Sequence, residues 1–138
     1  MGSVRLTEEL IKEDPPTRAE LDAIAERASQ AFASQPVEPH PELHGLAGTV
    51  TTTAALLHGL SDYDRNVVDD SRFEIGQVQA LRDELAGERM AVRVKRPCLP
   101  PGRADVIVAG MTILLTAMRH CGAQTLVVRD RGLRYALV

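Results

Sequence analysis

Residues 43–57 read Leu43-His44-Gly45-Leu46-Ala47-Gly48-Thr49-Val50-Thr51-Thr52-Thr53-Ala54-Ala55-Leu56-Leu57. A short strand, a turn with two glycines and a helix running to about Leu60 fit this pattern. Glycine between a strand and a helix lets the backbone come close to a ligand. The helix start offers free amides and the positive end of a dipole, which suit phosphate or a nucleotide. Threonine hydroxyls add short polar contacts. Gly45, Gly48, Thr49, Thr51 and Thr52 are therefore candidate substrate- or nucleotide-binding residues. The turn matches neither the Lys-bearing phosphate loop nor the three-glycine dinucleotide fingerprint. A packing turn is the alternative reading of the same glycines.

Outward from this turn the chain alternates strand and helix signals. Gly2 to Thr7 alternates apolar and polar residues and predicts a strand. A strand already under way at residue 2 is expected of a piece cut from something longer. Thr17 and Glu20 have the spacing of a capping box. Leu21, Ile24, Ala25, Ala28, Ala31 and Phe32 then fall on one helical face, ending before Pro36. Residues 61–70 predict an acidic loop. Ser71 and Glu74 have the spacing of a second capping box, for a helix stopping near Gly87. Pro97, Pro100, Pro101 and Gly102 break the chain. The most apolar helix is predicted from Arg103 to His120, closed by Gly122. Thr125–Arg129 predicts a strand covered on both faces. Asp130-Arg131-Gly132 predicts a turn, and residues 133–138 a short terminal helix. At least three strands among four or five helices make an α/β class, a mixed sheet flanked by helices in one domain spanning 1–138.

Composition narrows the function. The 138 residues are 44% hydrophobic and 25% charged, as in an ordinary globular domain. Aromatics are only 3%, with no Trp, so the core is aliphatic and a base-stacking platform is excluded. The net charge of −3 gives no reason to expect a nucleic-acid partner. The longest apolar stretch, Val106 to Met118, falls short of the roughly 20 residues of a membrane span and predicts a buried helix. No membrane partner is expected. Residues 1–15 hold Glu8, Glu9, Glu13 and Asp14 and no apolar run, so no secretory leader is expected in them. Cys98 and Cys121 form no disulfide framework. A cytoplasmic protein is the expectation.

Three further segments could carry chemistry. Arg89, Arg93, Lys95 and Arg96 form a basic run that could guide a polyanion, or simply a solvated face. Arg103 and Asp105 open the apolar helix. Gly110 inside that helix costs about 1 kcal/mol against Ala, so a neighbouring helix or a ligand comes close there. His40 and His44 have Pro41 between them and no third ligand nearby, so no metal site is expected.

The ordered set of short motifs resembles the exopolyphosphatase and guanosine pentaphosphate phosphohydrolase (Ppx/GppA) family. The matching segments are Gly2-Ser3-Val4-Arg5-Leu6-Thr7-Glu8, Asp14-Pro15-Pro16-Thr17, Gly45-Leu46-Ala47-Gly48-Thr49-Val50-Thr51-Thr52 with Ala54-Ala55-Leu56, and Tyr63-Asp64. Glu88-Arg89, Arg103-Ala104-Asp105-Val106-Ile107-Val108-Ala109-Gly110 and Gly132-Leu133-Arg134 complete the series. The resemblance implies an actin-like ATPase fold (ribonuclease H-like) of two lobes around a cleft, with this chain most of the second lobe. It implies release of terminal phosphate from inorganic polyphosphate or pppGpp, with Mg²⁺ as cofactor of the parent. The resemblance implies that the family's phosphate loops lie upstream of the position corresponding to Met1 and its catalytic glutamate in the first lobe. No catalytic residue is therefore assigned here, and the 138 residues alone are expected to be inactive. With Gly45 in the same turn, Gly48, Thr49, Thr51 and Thr52 would line the cleft, and Arg103 or the 89–96 run would guide the polyanion.

The expected partners are the first lobe and a second copy in a homodimer. Val68-Asp69-Asp70 stands where relatives tend to have a Val-His segment, and Tyr135-Ala136 where they often show an acidic residue. These departures keep a second reading open, a non-catalytic sensor or scaffold binding (p)ppGpp or another nucleotide. A third is an interaction module pairing through an open strand edge.

Overall fold

The computed structural model describes residues 2–130. The elements in chain order are α1 (Ser3–Leu10), α2 (Arg18–Ala33), β1 (Glu42–Gly45), α3 (Ala47–His58), α4 (Arg65–Val68), β2 (Arg72–Glu74), α5 (Ile75–Ala86), α6 (Met90–Arg93), α7 (Pro101–Ala104), α8 (Ile107–Cys121) and β3 (Thr125–Val128). The turn expected after Asp130 and the helix expected over 133–138 lie outside the described residues.

The apolar stretch that is too short for a membrane span becomes α8, the buried axis of the fold. Ten of its residues, from Ile107 to Met118, are buried. The helices α1, α2, α3 and α5 all pack on it. They deliver Leu6 from α1, Leu21 and Ile24 from α2, Val50 and Ala54 from α3, and Val78, Leu81 and Leu85 from α5. Gly122 closes α8 in the left-handed conformation, with φ 68°. The Ala123 amide reaches back to the Met118 carbonyl at 2.8 Å, as a glycine helix stop requires. No described helix is long and apolar enough to cross a membrane.

The sheet is small and mixed, in the order β1-β3-β2. β1 runs parallel to β3, with Glu42 opposite Thr125 and Gly45 opposite Val128. β2 runs antiparallel to β3, with Phe73 opposite Leu126. Leu126, Val127 and Val128 are fully buried, as the nearly continuous apolar run predicts.

Three local expectations are corrected. Residues 2–7 are not a strand. Ser3–Leu10 is a helix, with Arg5 bonded to Glu9 at 2.9 Å and Thr7 Oγ1 donating to the Ser3 carbonyl at 2.6 Å. Four alternating residues do not separate period 2 from period 3.6. Burial does, because Leu6 is 1% exposed and Val4 56%. Ser71 does not cap a helix. Residues 72–74 pair with β3, which moves the helix start to Glu74, whose amide donates to Gln77 Oε1 at 2.9 Å. The apolar helix does not begin at Arg103 either. Pro101 opens the one-turn α7, and the chain bends at Asp105–Val106 before α8 begins. The acidic loop also contains a turn of helix, α4, capped by Asp64 through the Asn66 amide at 2.9 Å.

Candidate functional site

The strand–turn–helix of residues 43–57 forms as the sequence predicts. It places the start of α3 at the carboxyl end of β1, where the Gly45 carbonyl accepts from the Arg129 amide leaving β3 at 2.9 Å. In α/β folds this end of the sheet is where ligands bind. Gly45 itself is a packing residue, since a Cβ there would lie 2.9 Å from Val50 Cγ2 and 3.4 Å from Leu126 Cδ1. Ala47 sits at φ 75°, a left-handed conformation that costs a non-glycine residue roughly 1–2 kcal/mol. Leu46, the residue at the N-cap, supplies no side-chain hydrogen bond. Orphan amides of the first turn therefore have no side-chain cap.

A cleft of about 310 Å³ opens against this start. Ala47, Gly48 and Thr49 form one wall, Ser3 from α1 a second and Arg103 from α7 a third, with Val106 and Ile107 behind. The Arg103 guanidinium lies across Gly48, where a Cβ would come within 2.8 Å of Arg103 Cζ. Its Nη1 donates to Thr52 Oγ1 at 3.0 Å, and Thr52 is buried. Thr49 faces the other way. Its Oγ1 would lie 2.5 Å from a Cβ on Gly110, so the glycine inside α8 admits a residue of α3.

The sequence-predicted residues thus divide. Gly48, Thr49, Thr52 and Arg103 come together. Gly45 packs behind them, and Thr51 lies apart, with Oγ1 3.2 Å from the Ala47 carbonyl and a side-chain hydrogen bond with Tyr63. Sequence reasoning missed Ser3 and Ala47. A helix at residues 3–10 would have pointed to Ser3, but no sequence signal marks an alanine at positive φ.

The basic run is not one surface. Arg89 and Lys95 are exposed. Arg93 is buried and donates to the carbonyls of Leu85, Glu88 and Ala104. Burial lowers its pKa, while Asp14, Glu88 and Asp105 act to raise it. Arg96 binds Glu88 with two nitrogens, at 2.9 and 2.6 Å, and Glu84 at 3.1 Å. Hydrogen bonds donated to these carboxylates raise its pKa against the effect of burial. Polyanion guidance by Arg93 or Arg96 is therefore corrected, because both guanidinium groups are engaged within the fold.

A polar network joins the segment between α3 and β2 to the residues after β3. Tyr63 donates to Asp130 Oδ2 at 2.5 Å, Arg65 approaches the same oxygen at 3.4 Å, and the Asp130 amide donates to Asp69 Oδ1 at 3.0 Å. Arg129 pairs with Asp70 at 2.9 Å. Within the acidic loop Asp70 is exposed while pairing with Arg129, and Asp69 is half-buried and accepts from the Asp130 amide. Burial and the bond to Asp130 push the Tyr63 phenol up to about 12.

Magnesium binds through carboxylates and phosphate oxygens in a strict octahedron. The cleft wall carries hydroxyls, amides and a guanidinium but no carboxylate. Among the described residues no cluster of three or more His, Cys, Asp or Glu could hold a metal ion. This wall does not fit a Mg²⁺ site and fits an anion.

The model of the Ppx/GppA phosphatase family matches residues 1–138. Exopolyphosphatase 2 of Mycobacterium tuberculosis is 34% identical over 118 residues, covering 83% of this chain and 37% of the relative. A crystal structure of the Aquifex aeolicus Ppx/GppA family member is similar at a TM-score of 0.90 and 33% identity, over 99% of this chain and 44% of that one. An exopolyphosphatase from Cytophaga hutchinsonii shares the fold at a TM-score of 0.74 and 16% identity, over 94% of this chain and 44% of that one. The chain thus spans less than half the length of these relatives.

Proposed function

We propose, because this chain belongs to the Ppx/GppA phosphatase family, that its cleft is a phosphate-holding wall of an exopolyphosphatase-like hydrolase. The observation that carries the reading is the Arg103 guanidinium lying across Gly48 at a helix start without a side-chain cap. Amides at a helix start and a planar guanidinium are complementary donors for phosphate oxygens. The substrate class is inorganic polyphosphate or pppGpp. The chain is read as the second lobe of a two-lobed actin-like, ribonuclease H-like fold.

Each residue then has a physical task. Gly48 has no Cβ, so the guanidinium can lie against the backbone. Thr52 accepts from Nη1 and fixes that face, leaving the other donors of Arg103 for the anion. Val106 and Ile107 lower the local dielectric, which strengthens charge-assisted bonds. Nothing on this wall can activate water, because it has no carboxylate or imidazole. The general base and any Mg²⁺ are assigned to the remainder of the protein, and the 138 residues alone are predicted to release no phosphate. What the wall supplies is positioning and charge stabilisation, the main protein contributions to phosphoryl transfer.

The test is phosphate release from long-chain polyphosphate and from pppGpp, with Mg²⁺, by the full-length protein and its Arg103→Ala variant. Release by the wild type and a loss of roughly 10–100-fold in kcat/KM in the variant, about 1.4–2.7 kcal/mol, is the expected result. An undiminished variant overturns the assignment of the cleft. A folded wild type that binds guanosine tetraphosphate but releases nothing from either substrate replaces the hydrolase with the sensor reading.

A further inference from the structure

We propose that Arg93 is a positioning residue, a buried strut that fixes α7 and thereby holds the Arg103 guanidinium over the start of α3. The inference rests on the reading of Arg103 as a phosphate contact.

Arg93 is the last residue of α6 and is 3% exposed. Its donors reach three main-chain carbonyls: Nε to Leu85 at 3.1 Å, Nη1 to Ala104 at 2.9 Å and Nη2 to Glu88 at 2.8 Å. Among the described residues it is hydrogen-bonded to no carboxylate. Burying a charge is costly even with Asp14, Glu88 and Asp105 acting on it, and an apolar side chain would fill the same space with less penalty. A planar fork does what an apolar group cannot: it sets the separation and orientation of three carbonyls at once.

Those carbonyls belong to two segments. Leu85 and Glu88 mark the end of α5, and Ala104 is the last residue of α7, directly after Arg103. The fork therefore ties α7 to α5 one residue away from Arg103. Such a tie matters because α7 is a single turn and cannot sustain itself. Pro100, which precedes it, and Pro101 and Gly102 within it are exposed. The bonds within the turn, Arg103 and Ala104 amides to the Pro100 carbonyl at 2.8 and 3.0 Å, shape it without anchoring it.

The end of α5 is itself held by Arg96 on Glu84 and Glu88. The path thus runs from α5 through Arg93 to Ala104, and through the backbone to Arg103 and Thr52.

The test is a double-mutant cycle in the full-length protein, with polyphosphate of defined length, well below the melting temperature of every variant. Arg93→Lys keeps the charge and loses the fork. It is expected to raise KM about five- to tenfold with kcat changed less than about twofold, the signature of a weakened uniform contact. In an Arg103→Ala background, Arg93→Lys is expected to leave KM where Arg103→Ala alone puts it. Pro101→Gly, at an exposed position, loosens α7 from its other side. It should reproduce both results if Arg93→Lys fails to fold.

A lowered melting temperature with unchanged KM makes Arg93 merely structural and overturns the proposal. Effects of Arg93→Lys and Arg103→Ala that multiply overturn it while leaving the phosphate contact standing. An Arg103→Ala variant with both kcat and KM unchanged removes the contact and the strut together.

Discussion

The starts of α2 and α3 solve the same problem in opposite ways. At α2, Thr17 Oγ1 accepts from the Glu20 amide at 3.1 Å, and Glu20 Oε1 accepts from the Thr17 amide at 2.9 Å. The second oxygen of Glu20 takes the Lys12 amide at 2.6 Å and the Glu13 amide at 3.2 Å. Burial acts to raise the Glu20 pKa, but the amide donors outweigh it and the pKa is lowered. At α3 the N-cap is a leucine, the next residue is in the left-handed region, and the nearby cation belongs to another element. A helix start closed by its own side chains serves stability. One left open beside a guanidinium serves a ligand.

Substitutions can break or sharpen this contrast, beginning with the largest effect. Gly110→Ala drives a methyl against Thr49 Oγ1 and pushes α3 away from α8. Overpacking of this kind costs about 1–3 kcal/mol, and denaturant unfolding should show it together with weaker polyphosphate binding. Thr17→Ala opens the closed start. It should cost about 1 kcal/mol in the same unfolding measurement while leaving KM for polyphosphate unchanged. A changed KM would show that the two starts are not separable. Because the folded-state pKa of Glu20 is lowered, its stabilisation is present above the ordinary carboxylate range and is lost as pH falls through that lowered value.

Ala47→Gly relaxes the open start. The left-handed penalty removed is roughly 1–2 kcal/mol, and the added unfolded-chain entropy of glycine offsets about 0.5–1 of it. A small net gain in thermal stability follows. The smallest effect belongs to Tyr63, beside the open start. Its phenol is raised from 10.0 to about 12, so its contribution is complete below pH 10 and fades as pH rises toward 12. Tyr63→Phe should flatten stability against pH in that window, by less than about 1 kcal/mol for a half-exposed hydrogen bond. Absorbance at 295 nm follows the titration itself.

The contrast also explains what could be read from the chain. The closed start was legible because Thr17 and Glu20 are three residues apart, and a local pattern needs no tertiary context. So was the stop at Gly122. The open start was legible only as a glycine turn. That Arg103 reaches it depends on a hydrogen bond to Thr52 from far along the chain, which no local periodicity encodes. Ser71 and Glu74 failed as a capping box because pairing with Leu126 and its neighbours overrode the local signal. The basic run failed because charge in sequence carries no information about burial. Arg93 lies inside the molecule and Arg89 outside it, four residues apart.

The position of α8 also orders events during synthesis. The first two helices and β1 are made early, yet their apolar faces and strand edge meet α8 and β3, which are made late. Contacts of such long sequence separation close slowly and pay their entropy before they stabilise anything. On a ribosome adding roughly 5–20 residues per second, Leu6, Ile24 and Leu43 wait several seconds for their partners. Through that interval the nascent chain presents unpartnered aliphatic surface, and it is then that a chaperone has most to hold.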